Sequence, residues 1–272
     1  MRKALAIVVA AALVAAGVAA SGCGKGTDPA AWLEECRRAA DGYASDGGYL
    51  RFQQEAEYRL ETPEGVFDQK IVIEGEGILP DRQAYAYRET VSSSKVPGQM
   101  QENAFSYRTL DGGKTAFVEG AQLSAQLGVA GWIHYTPPEG QNRYFDYLGL
   151  VERLTGAGGE AEWLGYEEVE GARCARLRYT VGGRELLDLQ LQNDPSFLQR
   201  YGDVDLGHLL GDLRVEMWIR EADDLPQRVA MEQALTLQED TGSTSRFLIR
   251  FSGYGEEPPA PIEQPAFFTE AG

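Results

Sequence analysis

From Tyr49 onward the chain alternates. Leu50, Phe52, Ala56, Tyr58 and Leu60 are separated by Arg51, Gln53, Glu55, Glu57 and Arg59, a period of two that predicts a long strand with one apolar and one wet face. Thr62-Pro63-Glu64-Gly65 reads as a turn, and Phe67, Ile71 and Ile73 then stand opposite Asp68, Lys70, Glu74 and Glu76. Pro80-Asp81 turns into a strand from Ala84 to Val91. Ser92 to Gly98 reads as a loop before a strand from Asn103 to Leu110, and Asp111-Gly112-Gly113 as a hairpin turn into Lys114 to Glu119. The last third repeats the texture. Leu213, Val215, Met217 and Ile219 alternate with Arg214, Glu216, Trp218 and Arg220. Leu225-Pro226 leads to Val229, Met231, Leu235 and Leu237, and Phe247, Ile249 and Phe251 close the sheet. Shorter strands are read at Trp132 to Thr136, Trp163 to Glu167, Ala172 to Val181 and Leu186 to Leu191.

Helical spacing is confined to a few places. Asp28-Pro29 supplies an N-cap and a proline at the first helical position, after which Trp32, Leu33, Cys36, Ala40 and Tyr43 form one apolar stripe. Gln122 to Leu127 fits a helical turn. Tyr144, Tyr147, Leu148, Val151 and Leu154 fit a second stripe, and Asp194-Pro195 starts a third helix with Phe197, Leu198 and Tyr201. With no internal repeat and no interdomain linker, the expectation is one α+β domain.

The first residues are of another kind. Arg2 and Lys3 precede an apolar run from Ala4 to Ala20, and Ser21-Gly22-Cys23 follows, the layout of a secretory signal with a small-residue cleavage site. Ala20-Ser21-Gly22-Cys23 resembles the lipobox of bacterial lipoproteins, with Ala20 where that motif usually has Leu. The expectation is a signal peptide over residues 1–22, a diacylglyceryl-bearing Cys23 that holds the chain to the extracytoplasmic face of a membrane, and a short flexible tether over 23–29. Two acyl chains anchor stably where one binds marginally.

Charge narrows the function classes. The chain has 42 Asp and Glu against 25 Lys and Arg, a formal net charge of −17, and loses Arg2 and Lys3 with its leader. So acidic a surface is repelled by phosphate backbones, so no nucleic-acid partner is expected, nor a basic patch for membrane docking. Any lipid contact has to come through apolar surface or through the anchor. With Cys23 acylated, Cys36 and Cys174 remain, and an oxidising compartment allows them to bridge. Cys36 lies on the helix stripe and Cys174 on the more polar strand face, so a disulfide and two separate thiols both stand as readings.

Chemical motifs break on inspection. Gly113-Lys114-Thr115 ends like a P-loop, but the first glycine of that motif would fall at Arg108. Ser92-Ser93-Ser94-Lys95 lacks its Ser-Asp-Asn and Lys-Thr-Gly partners, and Asp203, Asp205 and Gly207 place the glycine of a calcium loop one position early. His134 and His208 are the only histidines and stand apart, so neither a zinc site nor a catalytic triad is indicated. No cofactor, no metal and no catalytic residue is expected.

Met217-Trp218-Ile219-Arg220 followed by Leu225-Pro226-Gln227-Arg228-Val229, with Phe247 to Tyr254 as closing strand, resembles a hairpin of the LolA/LppX-like superfamily of bacterial lipoproteins. The resemblance covers most of residues 30–255 and leaves out Pro80 to Gly98 and a Pro- and Glu-rich tail over 256–272. It implies a single strongly curved antiparallel sheet, an open half-barrel whose concave face is covered by helices and lined with apolar side chains that hold a lipid or other apolar ligand. The residues that fit such a lining are Leu50, Phe52, Tyr58, Phe67, Ile71, Ile73, Leu213, Val215, Met217, Val229, Met231 and Phe247. The same alternation describes a filled core under helices, and a sensory lipoprotein acting through an envelope protein partner is the alternative function. On the anchor reading, Cys23→Ser abolishes labelling by radioactive palmitate, and globomycin, which blocks lipoprotein signal peptidase, makes precursor accumulate. Unchanged labelling of the Cys23→Ser chain removes the anchor.

Overall fold

The computed structural model describes residues 25–78, 84–96, 99–111, 114–136, 159–185, 210–238, 241–258 and 260–270. Helix α1 (Pro29–Ser45) is followed by β1 (Tyr49–Thr62), β2 (Gly65–Ile78), β3 (Ala84–Val96), β4 (Gln99–Leu110), β5 (Thr115–Glu119), the short helix α2 (Ala121–Leu127) and β6 (Trp132–Tyr135). After a stretch outside the described residues come β7 (Glu160–Val169), β8 (Ala172–Val181), β9 (Leu210–Arg220), β10 (Pro226–Gln238), β11 (Thr241–Ser252) and β12 (Phe268–Glu270). All twelve strands form one open, curved sheet in the order β12-β6-β5-β4-β3-β2-β1-β11-β10-β9-β8-β7. Every pairing is antiparallel except β12 with β6.

Register explains why the apolar residues gather. Trp163 faces Leu177, Leu177 faces Met217, Met217 faces Val229, Val229 faces Ile249, Ile249 faces Gln54, and Gln54 faces Ile73. One row of inward side chains thus crosses seven strands, because alternation with a period of two keeps in-register residues on one face. The adjacent row runs Phe251, Phe52, Gly75, Tyr87 and Tyr107. A Cβ on Gly75 would come within 2.5 Å of the Tyr87 Cβ and 2.9 Å of the Phe52 ring, so glycine there is what lets two aromatic neighbours close over β2.

Helix α1 covers one end of this face. Asp28 caps it by accepting from the Ala30 N–H at 3.0 Å, and its buried side chains Trp32, Leu33, Cys36 and Ala40 join the sheet residues in one core. Trp32 stacks on Trp163 with ring centroids 6.1 Å apart, and Tyr43 meets Tyr254 edge-on at 5.3 Å. Lys25 and Gly26 of the tether are docked. Lys25 pairs with Asp224 in the β9–β10 turn and lies 4.4 Å from the Trp32 ring centroid, while the Trp32 Nε1–H donates to the Gly26 carbonyl at 3.2 Å. Helix α2 buries no side chain.

Several sequence expectations are changed. Ser92 to Val96 continue β3, because Ser92, Ser93 and Ser94 pair with Glu102, Gln101 and Met100 of β4 in a long hairpin. The C-terminal segment returns to the sheet as β12, with Phe268 opposite Trp132. Of the two readings left open for Cys36 and Cys174, the structure has two free thiols. Cys36 lies in the core beneath α1, and Cys174 lies across the sheet in a separate cluster with Val169 and Trp218. The helices read at 144–154 and from Asp194, and the strand read at 186–191, lie outside the described residues, as do residues 1–24.

Edge strand β7 has a break in register between Trp163 and Gly165, with Gly165 at φ +110°, a conformation that favours glycine. Around it stand Glu160, Glu162 and Glu168, all exposed.

The core assignment is checked by Trp32→Ala, expected to lower unfolding free energy by about 3–5 kcal/mol in a denaturant titration. Alkylation of the unfolded, unreduced chain lacking Cys23 should add two groups by intact mass, one on Cys36 and one on Cys174; no addition would show a bridge.

Candidate functional site

The twelve inward residues expected to line a cavity lie on one face of the sheet and split by position along the strands. Leu50, Phe52, Ile73, Met217 and Val229, in the half toward α1, are buried within the core, as is Val215 in the next row, opposite Met231. Tyr58, Phe67, Ile71, Leu213, Met231 and Phe247, in the half toward the β1–β2 turn, are only partly buried. Tyr58 and Phe247 meet edge-on at 5.4 Å within this second group. The row through Tyr58 also carries polar neighbours, since Ser245 and Gln69 flank it in register and Gln233 faces Leu213. The open half therefore presents apolar rings and chains rimmed by neutral polar groups, which suits an acyl chain better than a charged solute. Beside α1 the same face holds a cleft of about 380 Å³ lined by Pro29, Ala30, Leu33, Glu34, Gly159, Ala161 and Tyr179.

Two polar residues sit at inward positions that an apolar pattern does not mark. Gln54 is 9% exposed in the row between Ile249 and Ile73. Glu89, half-buried, faces Ile73 on one side and Phe105 on the other. Burial pushes the Glu89 carboxyl above the ordinary glutamate value of 4.5, and a hydrogen bond from Tyr107 pulls it partly back. Burial also raises the Tyr107 and Tyr135 hydroxyls, with the Glu89 charge adding to both. The signal was present in the sequence as a carboxylate at an inward position of Tyr87-x-Glu89-x-Val91.

The opposite face is a network of ion pairs. Glu216 accepts from Arg176 at 2.7 Å and from Arg178 at 3.0 Å, and Arg176 reaches Glu167 at 3.2 Å. Burial acts to raise the Glu216 carboxyl, but the two guanidinium hydrogen bonds outweigh it and hold the group below the usual range. Arg176 and Arg228 also lie against the Trp218 ring, at 5.1 and 4.4 Å from its centroid. Farther along, Glu55 takes Arg250 at 2.8 Å and Lys70 at 3.0 Å, and Glu232 takes Arg246 at 3.0 Å. A groove of about 790 Å³ runs here, lined by Glu55, Glu57, Arg178, Glu216, Glu232 and Arg246 among others. Eight of its twelve lining residues are charged, and the other four are Ala230, Met231, Phe247 and Leu248, so two of the inward apolar residues also border this groove. Among the described residues no group of three or more His, Cys, Asp or Glu is arranged to hold a metal ion. Nor is any described helix long and apolar enough to cross a membrane.

No protein-family model and no curated protein matches the chain. Among solved structures it is similar to LprF from Mycobacterium bovis, at 12% identity and a TM-score of 0.44 over 87% of this chain and 96% of that one. It is also similar to the Mycobacterium tuberculosis lipoprotein LppX, at 10% identity and a TM-score of 0.34 over 87% of this chain and 100% of that one. A putative outer membrane lipoprotein-sorting protein domain from Vibrio parahaemolyticus aligns at 10% identity with a TM-score of 0.25, over 83% of this chain and 95% of that one.

Glu89 gives the site a pH signature. A carboxyl whose folded-state pKa is raised contributes no penalty below its unfolded pKa and destabilises as pH rises through the folded value. Glu89→Gln should therefore raise the melting temperature over wild type at pH 7, with the difference shrinking to nothing at pH 4 and below. Equal melting temperatures at both pH values would show that the carboxylate is fully solvated.

Proposed function

We propose that this chain is a membrane-anchored, extracytoplasmic lipoprotein, without catalytic activity, that binds or carries a lipid or other apolar ligand on the open half of its apolar sheet face. The observation that carries the reading is the partial exposure of Tyr58, Phe67, Ile71, Leu213, Met231 and Phe247 on the face that α1 covers elsewhere, with Ile71, Leu213 and Met231 packed against the core. Completing the burial of six such side chains is worth on the order of 5 kcal/mol. That free energy is available to an acyl chain that lies along them. Leu50, Phe52, Ile73, Val215, Met217 and Val229 form the floor of the site from its filled end and support it mechanically. The acidic exterior supports the same reading, since it leaves apolar contact and the acyl anchor as the routes to lipid.

Charged substitutions separate the two halves. Met217→Glu and Ile73→Lys place an unpaired charge in the sealed core and should prevent folding, seen as loss of the cooperative thermal transition. Phe247→Glu and Phe67→Lys place it where water has access; they should fold and weaken uptake of a fluorescent fatty acid about tenfold or more. A wild-type chain that takes up no fluorescent fatty acid, and carries no lipid in native mass spectrometry, would refute the carrier and favour the sensory alternative.

A further inference from the structure

Lys25 is held at one end of the sheet, beside the β9–β10 turn. Its ammonium pairs with Asp224 and covers the Trp32 ring, its side chain is 14% exposed, and its carbonyl accepts from the Asp28 N–H at 3.0 Å. Residues 25–28 are thus clamped beside the β9–β10 turn. From Cys23 to Lys25 is two residues, a reach of at most about 7 Å. Of the partly buried apolar residues, Tyr58, Phe67 and Leu213 lie toward the other end of the same strands, and Ile71, Met231 and Phe247 near their middle. Leu213 precedes Ile219 by six residues on β9, about 20 Å along an extended chain, and Phe67 on β2 lies in a farther row than Tyr58. The tether cannot bridge that distance while Lys25 stays docked.

Resting on the acylation of Cys23 and on the apolar site proposed above, we infer that the anchored chain stands on its β9–β10 turn, with that end against the lipid surface. The open apolar half then points away from the bilayer that holds the anchor, toward an acceptor or donor outside it. The Lys25–Asp224 pair acts as the orienting contact.

The test uses the acylated mature chain in phosphatidylcholine vesicles carrying a headgroup-linked quencher, with a fluorophore on Ala222→Cys in the β9–β10 turn or on Glu64→Cys in the β1–β2 turn. Both positions are exposed, whereas the native Cys36 and Cys174 are buried. The label at 222 should be quenched at least threefold more than the label at 64. Asp224→Ala, or a twelve-residue Gly-Ser insertion after Lys25, should narrow that ratio toward one. Equal quenching of both labels in floating chains, or stronger quenching at 64, overturns the orientation and leaves the ligand site intact. A chain that does not float with the vesicles overturns the anchor and the orientation together. Loss of fatty-acid uptake with an unchanged quenching ratio would overturn the ligand site alone.

Discussion

Strand alternation puts most of the large apolar side chains of the described residues on one face of one sheet, and that face has to be covered by something. Among the described residues the covering element is α1, whose 17 residues make a rod of about 25 Å. Twelve strands spaced by about 4.8 Å span roughly 53 Å. A single helix laid on such a surface can seal part of it and no more. Trp32, Leu33, Cys36 and Ala40 join Leu177, Met217 and Ile219 in one core, while Tyr58, Phe67 and Phe247 on the same face stay partly exposed.

The two faces depend on different physics. On the apolar face, burial supplies the stability, and polar exceptions such as Glu89 work against it. On the other face, guanidinium and carboxylate groups alternate across strands, as Arg178–Glu216–Arg176–Glu167 does over β7, β8 and β9. These side chains are between about one-fifth and two-fifths exposed, so each pair is worth about 1 kcal/mol or less. Their larger effect is on register. A slip of one residue in β8 or β9 would bring arginines to the core and leucines to the water.

Much of this architecture was legible in the sequence. The period-two runs of β1, β2, β9, β10 and β11 and the Asp28-Pro29 start of α1 are visible as patterns, because face and cap depend on residues near one another in the chain. The end of the β3–β4 hairpin was not legible. Three serines have little strand preference of their own, and Ser92 to Ser94 are held extended by long-range pairing with β2 and β4. Nor was β12, whose place beside β6 depends on a contact between residues more than a hundred positions apart. For the candidate site, parity assigned all twelve residues to one face but carries no information on where along the strands a helix lies. It could not separate Met217 in the sealed half from Phe247 in the open half. Gln54 and Glu89 escaped because a search for apolar alternation passes over polar residues at inward positions.

An open sheet, unlike a closed barrel, has two edges, and each is a template for another strand. One edge here is β12, only three residues long. The other is β7, where Gly165 interrupts the ladder and Glu160, Glu162 and Glu168 are exposed. A second copy approaching β7 would bring like charges together along a strand with a kink in its hydrogen-bonding line. That acidic, broken edge favours separate molecules over a continuous ribbon.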